Sequence, residues 1–546
     1  MKKIISIILA ISFLLGGCTG ESTEGIDSED NGLDYLITDA GNVVLPLTKY
    51  HTLNPLINNN ESYFYFSQLI FEGLFEFDQS FQAMPKLAEK YEVNEEGKVT
   101  IKLREDVLWH DGEEFTSRDV KFTIDALKSS SDNIYSKAIS NSINSNRITF
   151  VNIIDDHNLE IDFERLSPSI LPLLTFPIVP EHGFDYLGQA LEENFIPIGT
   201  GPFKFSNASR SKDIELTANE DYRYEKPRID KIIGRVLDED LLITSFEAGQ
   251  IDITITSDVE WDRYRQSGST KVIEFVSSDY EFLGFNFNNQ LFNDDSGQAI
   301  RKAIVYGIDR QDIIENIYLG HASEVDIPLH PSSWFLSDSI NSYGYNPDLS
   351  KEYLNNAGFK DLDGDGILED ENGNKLEFRY VTNPSNINRR ITANYIKEDL
   401  SEIGIELIFD FDKVSQDEYS DESRDMEWMV INEKLEKSDF DIVQLGLNMS
   451  VVPDIGHLFH THGGNNFINY SDHDMDTLLL DYESNNWENI ANISLQKYLV
   501  DQLPYISLYY KNKAMLVNGK IIGELSPTYY NPYKGLENCF TTVKGH

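Results

Sequence analysis

KVTIKLREDVLWHDGEEFTSRDVK, residues 98–121, holds a strand, a turn and a helix start in one run. Val99, Ile101 and Leu103 alternate with polar residues, which is the period of a half-buried strand. His110-Asp111-Gly112 interrupts that period, and glycine accepts turn dihedrals that other residues resist. Thr116 with Asp119 three residues on reads as a capping box, and Val120, Phe122, Thr123 and Leu127 give the helix that follows a face to bury. By these signals alone the run is an ordinary structural unit.

Further segments extend the pattern in both directions. Glu61 to Leu74, ESYFYFSQLIFEGL, is apolar on every side and predicts a buried helix ending at Gly73. Gly199 to Phe205, GTGPFKF, predicts a sharp crossover into a strand. Phe282 to Phe292 alternates, and a helix with the sequence RKAIVYGIDRQDIIENIYLG follows it and ends at Gly320. Taken together with Pro85-Lys86-Leu87-Ala88-Glu89 and Glu247 to Asp252, these stretches closely resemble the extracellular solute-binding proteins of family 5, the peptide-binding components of ABC importers. The similarity runs from about Leu36 to the C-terminus. It implies an α/β fold of the type II periplasmic-binding-protein kind, two lobes with an additional inserted domain. The first lobe is expected at 36–62, 195–285 and 505–546, the insert at 63–194 and the second lobe at 286–504. Arg301, Ala303, Ile308, Asp309 and Arg310 match a structural run of the family, with a fold-stabilising Asp-Arg salt bridge as the expectation.

Composition sets limits on partners. The 546 residues exceed what one core usually serves. Ninety-two acidic against 45 basic residues leave a net charge of -47, which repels phosphate backbones and excludes nucleic acid as a partner. Lys2 and Lys3 precede a short apolar run from Ile4 to Leu15, too short for a membrane span and readable as a signal peptide over 1–17. Leu15-Gly16-Gly17-Cys18 resembles a bacterial lipobox, which implies lipidation of Cys18 and anchoring at the outer face of the cytoplasmic membrane. Residues 18–35 then read as a flexible acidic tether. Cys539 is left alone in the mature chain, so an intramolecular disulfide is excluded.

The resemblance also proposes a site. Asn59, Asn60 and Glu61 fall where relatives present backbone to an extended ligand. Leu447, Asn448, Met449 and Ser450 fall where relatives read GW-x-x-D and hold a ligand's ammonium group. Ser450 stands at the position of that aspartate, so the ammonium contact does not carry over, and Asp454 in the next turn is the candidate substitute. Capture of oligopeptides for a membrane permease is the expected function, with the protein acting as a monomer. The alternatives are a non-peptide or metal-chelate ligand on the same fold, or a ligand sensor. An enzyme finds no support, because neither HExxH nor GxSxG occurs.

Two metal motifs remain. Asp361, Asp363, Asp365 and Gly366 form the first half of an EF-hand-like loop, but the twelfth position is Asn372, so Ca2+ competes with a plain acidic turn and no cofactor is required. Asp454, His457, His460 and His462 have spacing that suits Zn2+ or Ni2+ if a turn gathers them.

Overall fold

The computed structural model describes residues 35–38, 41–49, 51–94, 96–129, 148–164, 170–208, 213–293, 295–340, 343–410, 421–452, 454–484 and 489–544. Cys18, the signal peptide and nearly all of the acidic tether lie outside the described residues.

Strand Asn42–Thr48 begins the first lobe, with Val43, Leu45 and Leu47 fully buried by alternation. It pairs in parallel with Lys231–Leu237, and Ile214–Ala218 and Phe203–Ala208 complete a four-stranded sheet. The insert is a second four-stranded sheet, ordered Ala88–Val93, Lys98–Leu103, Asn158–Phe163, Ile148–Asp155. Val99, Ile101 and Leu103 are its fully buried face, as their alternation predicts. Helix Ser117–Ser129 follows, and the Asp119 carboxylate accepts the Thr116 amide at 2.8 Å, closing the expected cap.

The WHDG turn and the GTGP crossover prove to be one unit. His110 Nδ1 accepts the Gly199 amide at 3.2 Å, and its Nε2 faces the Gly201 carbonyl at 3.0 Å. That pair of contacts fixes the neutral ring with its proton on Nε2, and burial lowers the imidazole pKa to about 4.

The helix expected over residues 61–74 spans only Glu61–Ser67. The rest is buried, as its composition requires, but its carbonyls are claimed from outside. The Phe203 amide donates to Leu69 O at 3.0 Å, the Gly201 amide to Ile70 O at 2.9 Å and the Ile178 amide to Glu72 O at 2.9 Å. A helix would need those same acceptors for itself.

The second lobe is organised on a larger sheet with the order Ile253–Thr256, Tyr505–Asn518, Thr270–Phe285, Ile442–Asn448, Glu377–Val381, Glu406–Phe409. Its last three strands run parallel, joined by helices Ile387–Glu402 and Asp421–Glu436. The boundary between lobes passes through the two longest strands. Tyr505 to Tyr510 and Tyr280 to Phe285 belong to the large second core, whereas Met515 and Val517 lie in the first-lobe core.

Asp309 and Arg310 do not pair with each other. Asp309 caps helix Arg310–Tyr318 by accepting the Asp312 amide at 3.0 Å. The buried Arg310 guanidinium instead reaches Glu324 at 2.7 Å and Asp326 at 2.9 Å. Both residues are structural, in separate roles.

Candidate functional site

The junction of the lobes is built around a fault in the longest strand pair. Thr270–Phe285 and Tyr505–Asn518 run antiparallel, but the register breaks between Val276 and Tyr280. Ser277, Ser278 and Asp279 bulge there, which bends the strand and re-aims its side chains. Strand Ile442–Asn448 ends opposite that bulge, with Asn448 across from Asp279, and the Met449 amide donates to the Ser278 carbonyl at 2.9 Å.

Both lobes supply walls. Phe81 from the insert stacks edge-on against His330 of the second lobe at 4.9 Å, and Tyr529 from the C-terminal segment contacts both rings at 5.0 and 5.3 Å. Trp334 donates its amide to the Ser80 carbonyl at 3.0 Å. Val451 and Val452 are buried in the insert's core beside Phe64 and Tyr530. The loop after strand Ile442–Asn448 therefore bridges from one lobe into the other.

The expected ligand residues fall on both sides of this junction. Asn59 is exposed. Asn60 caps its helix, accepting the Tyr63 amide at 3.2 Å while its own amide group donates to Thr48 O at 2.9 Å. Glu61 is exposed and accepts the Tyr65 hydroxyl. Leu447 is half-buried opposite Tyr280, Asn448 is exposed and Met449 is buried. Ser450 Oγ accepts the Val452 amide at 3.1 Å. Asp454 is committed to the next turn, where it accepts the Gly456 amide at 3.0 Å beside His457.

Sequence reasoning missed Phe81, Asp279, His330, Tyr510 and Tyr529. Each sits in a segment whose local pattern is ordinary, and only tertiary packing gathers them. His330 is held neutral, with burial lowering its pKa to about 4, and its Nδ1 accepts the Ser332 amide at 3.1 Å. Tyr510 is fully buried, and its hydroxyl has no hydrogen-bond partner among the described residues.

The histidine run does not converge as a ligand set among the described residues, although the His460 and His462 rings are 5.9 Å apart. His457 is buried, His460 lies 4.0 Å from Asp476, and His462 is exposed. Among the described residues the metal-type cluster that does converge is Asp361, Asp363, Asp365 and Glu369, with ligand atoms within 4.8 Å of one another. Glu369, the ninth position of the loop, is buried and was not anticipated. This hard-oxygen set suits Ca2+. Its centre, however, faces the Lys375 ammonium, 3.0 Å from Asp363 and 3.8 Å from Glu369 and also paired with Asp365.

Comparison with known proteins fits this two-lobed geometry. Residues 82–467 match the model of the Bacterial extracellular solute-binding proteins, family 5 Middle. The chain belongs to that family. The oligopeptide-binding protein AppA of Bacillus subtilis is 26% identical over 98% of this chain and 97% of its own. The structure of that AppA in complex with a nonapeptide covers 92% of this chain and 99% of the solved chain at 24% identity, with a TM-score of 0.58. HbpA2 from Haemophilus parasuis reaches a TM-score of 0.74 at 20% identity, covering 93% of this chain and all of its own. These likenesses carry the type II periplasmic-binding-protein fold. No helix among the described residues of this family 5 protein is long and apolar enough to cross a membrane.

Proposed function

We propose that this chain is the substrate-binding component of an ABC importer, anchored through Cys18 at the outer face of the cytoplasmic membrane, which captures oligopeptides between its lobes and hands them to a permease. The observation that supports this most directly is the junction itself. Two continuous strands join the lobes, and the Met449–Val452 loop crosses between them next to the bulge. A ligand held there touches both lobes, so binding favours the closed arrangement by its differential affinity. An extended peptide in such a cleft is held through its main chain with weak side-chain selection. The Bacillus relative named for oligopeptide binding supports the ligand class. In this reading the protein acts as a monomer and needs no resident cofactor, and a Ca2+ bound by the Asp361 to Glu369 loop has a structural role alone.

Native mass spectrometry of the folded body tests the ligand. A set of peptide masses released on mild denaturation, displaced by added peptides, is expected. A single non-peptide mass that peptides do not displace overturns the peptide assignment and leaves capture by the cleft.

A further inference from the structure

His321 links helix Arg310–Tyr318 of the second lobe to strand Ala322–Glu324, which pairs with Tyr509 to Lys511. Its buried ring packs on residues of the first lobe. Trp261, which shares a small core with Val44 and Leu237 of the first-lobe sheet, tilts against it with ring centroids 4.3 Å apart. Nδ1 lies 3.1 Å from Glu274 Oε1, on the first-lobe half of strand Thr270–Phe285, and Nε2 lies 3.4 Å from Asp262 Oδ2, on helix Asp262–Arg265. Arg265 holds the other two oxygens, Asp262 Oδ1 at 2.7 Å and Glu274 Oε2 at 3.2 Å, so each carboxylate presents its remaining oxygen to the ring. Of the other neighbours, Asn512 donates its side-chain amide to Glu274 Oε1 at 2.7 Å and its backbone amide to the His321 carbonyl at 3.2 Å. The His321 amide is spent on the Tyr318 carbonyl at 2.8 Å, and Lys511 is turned to Glu281 at 2.7 Å.

A neutral imidazole has one N–H and one bare nitrogen. Either tautomer therefore turns a lone pair towards a carboxylate, and Nε2 has no hydrogen bond in this structure. Only the imidazolium donates to both carboxylates. The two carboxylates belong to the first lobe and the ring to the second, and the strand register breaks just beyond Glu274, between Val276 and Tyr280. Rotation of the lobes about that break changes the distance from His321 to Asp262. The lobes touch across the cleft here, through the Trp334 amide on the Ser80 carbonyl and Phe81 on His330, so the geometry is that of the closed arrangement.

We propose that His321 is a proton-operated latch across the hinge: protonated on both nitrogens it bridges Asp262 and Glu274 and favours the closed lobes, and loss of one proton releases Asp262. Imidazole ordinarily gains its charge between about pH 5 and 8, so the latch is engaged at the acid end of that range and released as pH rises through it. The cleft then closes more readily in acidic surroundings, whichever ligand it takes.

The test is small-angle scattering of the ligand-free wild type, Asp262→Asn and His321→Gln at about pH 7.5 and about pH 5.5, either side of the ordinary imidazole titration. Circular dichroism confirms that each variant is folded. The Asp262 side chain is 58% exposed, so Asp262→Asn is expected to fold whatever becomes of the buried His321→Gln. The wild type is expected to show a smaller radius of gyration at the lower pH, and both folded variants to lose that shift. Equal radii at the two pH values in the wild type, or a shift that either folded variant keeps in full, overturn the latch. Neither result bears on the peptide assignment, because no ligand is present.

Discussion

Glu72 shows how much one buried charge can organise. Its carboxylate takes both arms of Arg223, at 2.6 and 2.9 Å, together with the Thr200 and Tyr222 hydroxyls at 2.9 and 3.0 Å, and Lys86 stands 3.6 Å away. Attraction by Arg223 and Lys86 outweighs burial and leaves its pKa lowered. Removing one side of such a pair strands the other, so Glu72→Gln is expected to cost about 3–5 kcal/mol in denaturant unfolding. His110 makes a pH prediction. Its folded pKa of about 4 lies below the unfolded value near 6.5, so the unfolded chain takes up the proton first as pH falls. Stability contributed by the neutral ring is present above pH 6.5 and is lost towards pH 4. Asp399 acts in the opposite sense, because burial raises its pKa to about 6 and its protonation in the folded state adds stability below that pH. Thermal melts of His110→Gln beside the wild type over pH 7.5 to 4.5 separate the two: the variant is expected to lose less stability on acidification.

Among the elements, the crossover at Gly199 to Phe203 is a tight join against backbone. A Cβ at Gly199 would lie 1.8 Å from the Ile70 carbonyl oxygen, the same oxygen that accepts the Gly201 amide. Gly199→Ala must therefore push apart the segment after helix Glu61–Ser67, and a loss of about 3 kcal/mol or more is expected in chemical denaturation. The acidic loop is an element of a different kind. Lys375 supplies the charge balance there, so Lys375→Gln is expected to strengthen Ca2+ binding, read as a larger rise in melting temperature on Ca2+ addition than the wild type shows. An equal response in both proteins would show that the lysine does not compete for the site.

For the whole molecule, two strands carry the mechanics. Thr270–Phe285 and Tyr505–Asn518 are anchored in both cores, and their register breaks at Ser277 to Asp279 and shifts again between Glu281 and Phe282. Bending at that bulge is the expected route by which the cleft changes, since the register is already interrupted there. Small-angle scattering is expected to show a smaller radius of gyration on ligand addition. An unchanged radius at saturating ligand would place the motion elsewhere.

The sequence by itself determined the fold class, the insert's strand and helix, and the family, because these depend on local periodicity, caps and turn residues such as Val99 to Leu103, Thr116 and Gly199. It also pointed to the Met449–Ser450 loop, since a dense motif match carries position along the chain. Tertiary structure alone decided the length of the helix at Glu61, whose later carbonyls are taken by a segment more than a hundred residues away. It alone separated Asp309 from Arg310 and kept His457, His460 and His462 from converging as one metal-type cluster among the described residues. Asp279, His330 and Tyr510 were illegible for the same reason. A half-buried strand reads alike whether its bulge faces solvent or a cleft, and the difference is set by which distant chains pack against it.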